Sequence, residues 1–272
     1  MPGASTDCTV LVASCDRYAD VVEPFGRLFA RYWPDCPFEV VLVTETDPGP
    51  LPGVSRTLAC GPGGNWAGRL VRALDTISTP YVLMLCDDYL LAQPVDTARM
   101  LARLAQARRL DAANLRLVPN PRRFRPWPAA AGDEDLPLGE YPKNTAYCIS
   151  TLAGFWARDF LRRLAAQADS IWEFERYGSF ACADEPRPLL VTPTQEFPFV
   201  DAVHKGYWEP FGLAVCSRNG IEPDTTVRGL PPWRVRVTEG FKALVFALFP
   251  ATWIVRVQNL IGAGAKEKPA SK

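Results

Sequence analysis

Three short apolar runs, separated by segments of a different period, constrain the fold of this chain more than any other feature. They are residues 9–14 (TVLVAS), 38–44 (FEVVLVT) and 81–86 (YVLMLC). Their β-branched, uninterrupted apolar character predicts buried strands. Residues 20–32 instead repeat apolar side chains at helical spacing, and Asn65 is placed to cap a second helix before the third run. Alternating strands and helices predict an α/β fold with a mostly parallel sheet flanked by helices.

The later part of the chain gives fewer clear signals. Residues 94–109 and 155–167 carry apolar side chains at helical spacing, and residues 114–118 read as a further strand. Two stretches are predicted to be irregular: residues 47–64, which are rich in proline and glycine, and residues 120–144. A long irregular segment inside a domain is usually functional or mobile.

Length and charge narrow the class of protein. The chain has 272 residues, so its length divided by a typical domain size is about 1.8, which allows one or two domains. We predict one domain over residues 1–232 and an amphipathic C-terminal extension with a disordered tail over 233–272. Lys and Arg number 30, as do Asp and Glu, so the formal net charge is zero. That balance lacks the basic footprint of a nucleic-acid-binding protein.

The extension contains the one membrane-like segment of the sequence, residues 241–262. Between Lys242 and Arg256 lie 13 uncharged residues, interrupted by Pro250. A membrane span needs roughly 20 apolar residues, so we expect this segment either to lie on a membrane surface or to pack on the protein core. Flanking basic residues suit the first alternative.

The N-terminus and the cysteines indicate the compartment. The first residues, MPGASTDCTVLVAS, lack the basic and apolar regions of a signal peptide. The eight cysteines form no CxxC pair, which argues against a cysteine-based zinc site. We therefore expect free thiols and a cytoplasmic location, with peripheral contact to the inner face of the membrane.

Adjacent acids end the third predicted strand. Parallel sheets bind ligands at the carboxyl ends of their strands, and the three ends here are residues 14–16, 44–45 and 87–88. Asp87 and Asp88 repel each other unless a cation or hydrogen-bond donors compensate. Oxygen ligands of this kind suit Mg²⁺ or Mn²⁺ completed by substrate phosphates. The alternative is a solvated turn or a helix cap.

Three further signals accompany the acid pair. Glu173 and Glu175 lie among aromatic residues, where one could act as a general base, although both could equally stabilise a helix start. Arg69 follows a glycine-rich stretch and could hold a diphosphate, or it could form a surface ion pair. No Lys-Ser/Thr follows those glycines, so the stretch is not a Walker A loop. His204 is the only histidine, and is either a metal ligand or structural.

Four stretches in this order resemble the GT-A glycosyltransferase superfamily, and bacterial enzymes of surface polysaccharide and lipopolysaccharide synthesis in particular. They are VASCDRYAD, NWAGRLVRALDTISTPYVLMLCDDYLL, STLAGFWARDFLRRLAAQADSIWEFERYGS and VDAVHKGYW. The resemblance implies a Rossmann-like GT-A fold and a metal-dependent, inverting enzyme. Its substrates would be a nucleotide-sugar donor and a glycan or lipid-linked acceptor.

The resemblance also implies roles for individual residues. The catalytic base would be Glu175 or Glu173, and the metal, Mn²⁺ or Mg²⁺, would be bound by Asp88, Asp87 and His204. The nucleotide sugar would contact Ser14, Asp16, Trp66, Arg69, Asp87 and Gly154. One departure stands out: the first acid of the DxD motif typical of the family is replaced by Cys86, so Asp88 matches the metal-binding acid best.

Two other functions share features with this sequence. A sugar-phosphate nucleotidyltransferase has a similar sheet but carries a glycine-rich loop after its first strand, which VASCDRYAD lacks. A non-catalytic module that binds a sugar nucleotide or a partner is the second alternative, because an acid is missing at Cys86.

Overall fold

The structure is a computed structural model that describes residues 7–119, 125–126, 135–143, 145 and 147–232. The predicted C-terminal extension, residues 233–272, and most of the predicted irregular segment 120–144 lie outside the described residues. The membrane-surface prediction and the domain boundary at residue 232 therefore stay predictions. Within the described residues, no helix is long and apolar enough to cross a membrane.

The first part of the chain forms three strands and two helices that follow one another in a regular β-α-β order, with an extra strand at the edge. They are β1 (Cys8–Ala13), α1 (Ala19–Tyr32), β2 (Glu39–Thr44), β3 (Arg56–Ala59), α2 (Trp66–Thr76) and β4 (Tyr81–Cys86). All four strands are parallel. The Asn65 side chain accepts a hydrogen bond from the Gly68 amide at 2.7 Å, which confirms the predicted cap of α2.

The second part supplies shorter elements. They are β5 (Tyr89–Leu91), α3 (Thr97–Arg109), β6 (Asn114–Arg116), β7 (Arg125–Pro126), β8 (Gly139–Glu140), β9 (Gly154–Ala157), α4 (Arg158–Ala165), α5 (Ile171–Ala181), β10 (Leu189–Val191), β11 (Phe199–Asp201), β12 (Val203–His204), β13 (Tyr207–Trp208) and α6 (Pro210–Arg218). Strands β5 and β11 pair in one antiparallel ribbon, and β12 and β13 in another.

The main sheet has the strand order β3-β2-β1-β4-β9-β6-β10-β8-β7. Its β3-β2-β1-β4 half is parallel, as is the β10–β6 pair, whereas β9 runs antiparallel to both of its neighbours. The predicted α/β architecture, a mostly parallel sheet flanked by helices, is confirmed. The chain leaves β1 toward β2 on one side and returns to β4 on the other, which creates a crevice at the carboxyl ends of β1 and β4.

Two predictions of secondary structure were wrong. Residues 47–64 are not irregular throughout, because β3 pairs with β2 at the sheet edge. The helix predicted over 155–167 begins only at Arg158, since Phe155 and Trp156 belong to β9. Both side chains are fully buried, and they pack against different rings: Phe155 lies near Phe38, and Trp156 lies near Phe160. A central strand buried on both faces loses the alternation that normally distinguishes it from a helix.

Candidate active site

The crevice between β1 and β4 holds a small cavity of about 150 Å³, here called the first cavity. Its lining includes Ser14, Trp66, Arg69, Asp87 and Asp88, all singled out from the sequence. Ser14, Asp87 and Asp88 meet because Ala13 and Cys86, the last residues of β1 and β4, are register partners, so the residues that follow the two strands lie side by side. Trp66 and Arg69 come from the first turn of α2.

At this cavity Asp87 is buried and Asp88 is half-buried, and both have little charge compensation. The Ser14 hydroxyl donates a hydrogen bond to Asp87 Oδ2 at 2.5 Å. Burial, followed by repulsion from Asp88, raises the pKa of Asp87 well above its usual range. Burial and then the charge of Asp201 raise the pKa of Asp88 to about 7. Both directions indicate carboxylates that lack a counter-charge.

Arg69 is the arginine that lines the first cavity. Its guanidinium forms an ion pair with Glu45 at 2.5 Å and donates to the Gly64 carbonyl at 2.7 Å. The side chain is only 8% exposed, and its Nε is buried without a hydrogen-bond partner among the described residues. A buried guanidinium with an unused donor beside a cavity is suited to an anionic ligand.

A second arginine reaches the same region from far along the chain. Arg228 forms a buried ion pair with Asp20 at 2.7 Å, and its guanidinium lies 4.2 Å from the centre of the Tyr18 ring. Its charge acts to lower the pKa of both Asp87 and Asp88, but burial outweighs it. Both arginines are thus already engaged by other acids, which leaves the acid pair under-compensated.

Asp16 lies at the exposed rim, outside the residues that line the first cavity. Its carboxylate accepts hydrogen bonds from the Thr46 amide at 3.0 Å and the Thr46 hydroxyl at 2.9 Å. Its own amide donates to Glu45 at 2.6 Å. These contacts tie the loop after β1 to the loop after β2, and through Glu45 to Arg69.

Glu175 extends from α5 to the loop that precedes β9. Its Oε1 accepts three hydrogen bonds, from the Ser150 hydroxyl at 3.0 Å, the Thr151 amide at 2.7 Å and the Thr151 hydroxyl at 2.8 Å. The carboxylate is therefore held in one orientation, and it is half-buried.

Glu173, two residues earlier, has a different role. Ser170 caps α5 by accepting from the Glu173 amide at 3.2 Å, and the Glu173 carboxylate accepts from the Asp169 amide at 3.0 Å. This reciprocal arrangement resembles a capping box, in which a glutamate satisfies free amides at a helix start.

Glu175 is connected to the acid pair through Thr151. The Tyr89 hydroxyl, one residue after Asp88, donates to the Thr151 carbonyl at 3.4 Å, while the Thr151 amide binds Glu175. Burial first, then Asp88 and Asp87, and then Glu175 raise the pKa of the buried Cys86 thiol. The three carboxylates therefore act on a common region at the end of β4.

His204 lies beside a second cavity rather than the first. The second cavity has a volume of about 480 Å³, and its lining includes Leu152, Gln195, Phe199, Asp201, His204, Glu209 and Phe211. It adjoins the acid pair, because the Ala202 amide donates to the Asp88 carbonyl at 2.8 Å. Asp201 is exposed at the end of β11, and partial desolvation of its carboxyl at the cavity wall raises its pKa.

Gly154 lines neither cavity and is part of the central sheet. A side chain there would place its Cβ 3.0 Å from the Leu115 carbonyl oxygen and 3.1 Å from Arg116 Cα. This crowding is enough to explain why a glycine occupies the position, and no contact with a ligand is needed. The residue two positions earlier, Leu152, is the one that borders the second cavity.

Asp87 and Asp88 fit a hard divalent cation. They offer anionic oxygens at a cavity, and their uncompensated burial is the state that a bound cation would relieve. Within the described part of the chain, no group of three or more His, Cys, Asp or Glu residues forms a ready metal site. The remaining ligands would therefore have to be phosphate oxygens and water, as is usual for Mg²⁺.

Several residues of this site have no signal in the sequence. Glu45 was noticed only as a strand end, and the contacts of Arg228 and Asp201 were not foreseen. Asp201 ends a short strand, which is a usable clue, but Arg228 lies 208 residues from its partner Asp20.

Comparison with known proteins gave similarities in structure only. No family model matches the sequence, and no curated protein matches it significantly. A 2-C-methyl-D-erythritol 4-phosphate cytidylyltransferase from Thermus thermophilus is 15% identical, with a TM-score of 0.44 over 78% of this chain and 98% of its own. Residues 1–349 of TarS from S. aureus are 14% identical, with a TM-score of 0.43 over 71% of this chain and 59% of that one. The glycosyltransferase GlyE of Streptococcus pneumoniae is 11% identical, with a TM-score of 0.36 over 89% and 64%. At these scores the proposals below depend on the chain's own residues.

Proposed function

We propose that this chain is a metal-dependent, inverting glycosyltransferase that moves a sugar from a nucleoside diphosphate to a hydroxyl of a glycan or lipid-linked acceptor. The observation that carries the proposal is the under-compensated pair of Asp87, which is buried, and Asp88, which is half-buried, after β4 and beside the carboxyl end of β1. A nearby carboxylate, Glu175, is fixed by three hydrogen bonds. The acid pair suits a cation with a diphosphate, and Glu175 suits proton transfer.

The donor would occupy the first cavity. Arg69 presents a buried guanidinium to the diphosphate, and Trp66 offers an aromatic face at the start of α2. Asp88 and Asp87 would hold Mn²⁺ or Mg²⁺, which when bound would neutralise charge on the departing diphosphate. Asp16, with Thr46 and Glu45, would shape the rim on the nucleobase side.

Glu175 is the residue we assign as the base, because Glu173 is used to cap α5. The acceptor hydroxyl oxygen bonds to the anomeric carbon from the face opposite the leaving group. The bond from that carbon to the diphosphate oxygen breaks, and the hydroxyl proton passes to the Glu175 carboxylate. Hydrogen bonds from Thr151 and Ser150 hold the carboxylate in one orientation.

A donor screen tests the reaction class. The full chain is incubated with a panel of nucleotide sugars, with and without Mn²⁺, and free nucleoside diphosphate is measured. Slow, metal-dependent hydrolysis of one donor is expected. Release of pyrophosphate from a nucleoside triphosphate and a sugar phosphate would indicate a nucleotidyltransferase instead. Binding without turnover would indicate a non-catalytic module.

Calorimetry with paired variants tests the metal assignment. Asp88→Asn removes one anionic ligand while keeping the side-chain shape, so Mn²⁺-dependent donor binding should be lost. Asp87→Asn should do less damage, because the Ser14 hydroxyl already binds this carboxylate. Donor binding that ignores both EDTA and Asp88→Asn would refute the metal assignment.

A further inference from the structure

The second cavity lies where an acceptor would have to be. Asp201 in its wall is the register partner of Tyr89, the residue after Asp88. Leu152 in the same wall follows Thr151, which binds the Glu175 carboxylate. Two residues of the wall are thus next to residues that contact the acid pair or the assigned base, while Asp87, Asp88 and Glu175 themselves are not part of the lining. Its volume of about 480 Å³ falls in the range of small-molecule sites.

Aromatic rings form the apolar part of the second cavity. Phe199 is buried and stacks on Tyr89 with ring centres 4.2 Å apart, so it is fixed. Phe211, in the first turn of α6, is 75% exposed. Covering a water-exposed phenyl ring at a cavity rim with a flat apolar surface is favourable, because it removes apolar area from water. The C–H face of a pyranose ring is such a surface.

The polar part of the second cavity consists mainly of hydrogen-bond acceptors. Asp201 and Glu209 contribute carboxylates. The Gln195 amide nitrogen already donates to the carbonyls of Phe197 and Phe199 at 3.0 Å, which leaves its oxygen for a ligand. Among the described residues the lining contains no Lys or Arg, and the His204 imidazole is its one group that can carry positive charge, against the two carboxylates. Sugar hydroxyls can donate to these acceptors, whereas a carboxylate or phosphate on the ligand would be repelled.

We infer that the second cavity binds the acceptor and that the acceptor sugar is an uncharged pyranose, which Phe199 and Phe211 stack against and Asp201, Glu209 and Gln195 bind through its hydroxyls. The assignment of this sugar as the acceptor rests on the proposed glycosyltransferase function. The binding of a neutral sugar is a separate property that can be measured without a donor.

Ligand-observed NMR on the full chain provides that measurement. The probes are methyl glycosides of glucose, galactose and mannose, each paired with its uronic acid counterpart, so that a neutral CH₂OH group is exchanged for a carboxylate on the same ring. At least one neutral glycoside should bind, and its uronide should bind at least about tenfold more weakly, the equivalent of 1.4 kcal/mol. Equal or tighter binding of the uronides, or binding of no neutral probe, would overturn the inference.

Two variants locate the binding. Phe211→Ala should weaken the neutral glycoside by about tenfold or more, while Phe180→Ala is the matched control, since Phe180 is also exposed, at 64%, but lies on α5. Glu209→Gln should narrow the difference between a glycoside and its uronide. If Phe211→Ala and Phe180→Ala behave alike, the sugar binds elsewhere and the inference falls.

Enzymatic assays separate the two proposals. Donor hydrolysis with no stimulation by any neutral glycoside that binds would refute the acceptor assignment and leave the glycosyltransferase function standing. Phe211-dependent binding of neutral sugars by a protein that hydrolyses no donor would refute the reaction and keep the sugar site. Both results are read from the same purified protein.

Discussion

Residues 7–88 and residues 89–232 form the two sides of the proposed site by different means. In the first region the strands are parallel and follow a regular β-α-β order, in which β1 pairs with β2 and also with the distant β4, and the ends of β1, β2 and β4 lie at one edge. In the second region β9 runs antiparallel to both of its neighbours, β4 and β6, whereas β10 is parallel to β6. The proposed nucleotide side is thus built from one regular parallel unit, and the proposed acceptor side from short strands of both directions.

One set of ion pairs from each region illustrates a difference in exposure. In the first region Arg56 and Glu39 form a half-exposed pair between neighbouring strands, with side-chain exposures of 36% and 40%. In the second, Glu196 joins α3 to the segment before β11 by binding Arg99 and the fully buried Arg103. A substitution of Glu196 should therefore have a larger effect on stability than a substitution of Glu39.

The largest effect should come from Glu175→Gln, within the second region. Turnover should fall by about 10²–10⁴-fold, the usual range for loss of general acid–base catalysis, while donor affinity changes little. Glu173→Gln is the control, since it alters a carboxylate two residues away on the same helix. Steady-state kinetics on a responsive donor would check this. Full activity in Glu175→Gln together with a loss in Glu173→Gln would exchange the two roles.

Glu196→Gln should destabilise the fold by about 3–5 kcal/mol, because Arg103 would be left as a buried charge without its partner. Glu39→Gln, in the exposed pair of the first region, should cost only about 0–1 kcal/mol. Urea unfolding would measure both. Equal losses would show that the two regions do not differ in this way.

The ion pairs of Glu196 with Arg103 and Arg99 also make the stability of the fold depend on pH. Burial raises the pKa of Glu196, but hydrogen bonds and charge from Arg103 and Arg99 outweigh it, and the pKa lies below the ordinary value of 4.5. A lowered folded-state pKa contributes stability above that ordinary value, and this contribution is lost as the pH falls through the folded-state value. The difference in free energy of unfolding between the wild type and Glu196→Gln should therefore become smaller below about pH 4.5. A constant gap would contradict the assignment.

Gly212→Ala should lower the free energy of unfolding by about 1–3 kcal/mol through overpacking. Its Cβ would lie 2.7 Å from Ala202 Cα, where α6 packs against the end of β11. In a helix without this contact, alanine would instead stabilise by roughly 0.5–1 kcal/mol. The sign of the change, measured by thermal unfolding, therefore decides whether the contact matters. Gly229→Ala, which has open space around it, is the control.

Asn65→Ala should have the smallest effect, about 1 kcal/mol, since it removes the cap of a local helix in the first region. The Asn65 side chain also donates to Asp169 at 2.9 Å. Asn65→Ser keeps a capping oxygen and loses only that second contact, so it should recover most of the stability. If Asn65→Ser is as unstable as Asn65→Ala, the long-range bond to Asp169 outweighs the cap.

The same contrast explains what could be predicted from the sequence. Strands β1, β2 and β4 were predicted because parallel strands covered on both faces read as continuous apolar runs. Edge strand β3 was missed because its residues, Arg56–Ala59, are partly exposed and mixed in polarity. Strand β9 was mistaken for helix because its two large aromatics continue into a real helix with compatible spacing.

For the candidate site, the sequence revealed residues that follow strands or begin helices. Ser14, Asp87, Asp88, Trp66 and Arg69 converge on the first cavity as their positions at strand and helix ends imply. Contacts that depend on tertiary structure were not predictable, such as the hydrogen bonds that hold Glu175 and the position of His204 beside the second cavity. No local pattern encodes a partner that is far away in the chain.

The ion pair between Asp20 and Arg228 has a consequence for synthesis of the protein. Ribosomes deliver the chain from its N-terminus, so β1, α1 and the acid pair after β4 emerge long before Arg228 does. Until then the buried carboxylate of Asp20 has no guanidinium beside it, and the Tyr18 ring lacks its cation. The strands of the proposed nucleotide side are therefore made before the guanidinium of Arg228, and nascent chains halted before residue 228 would carry those strands without this charge.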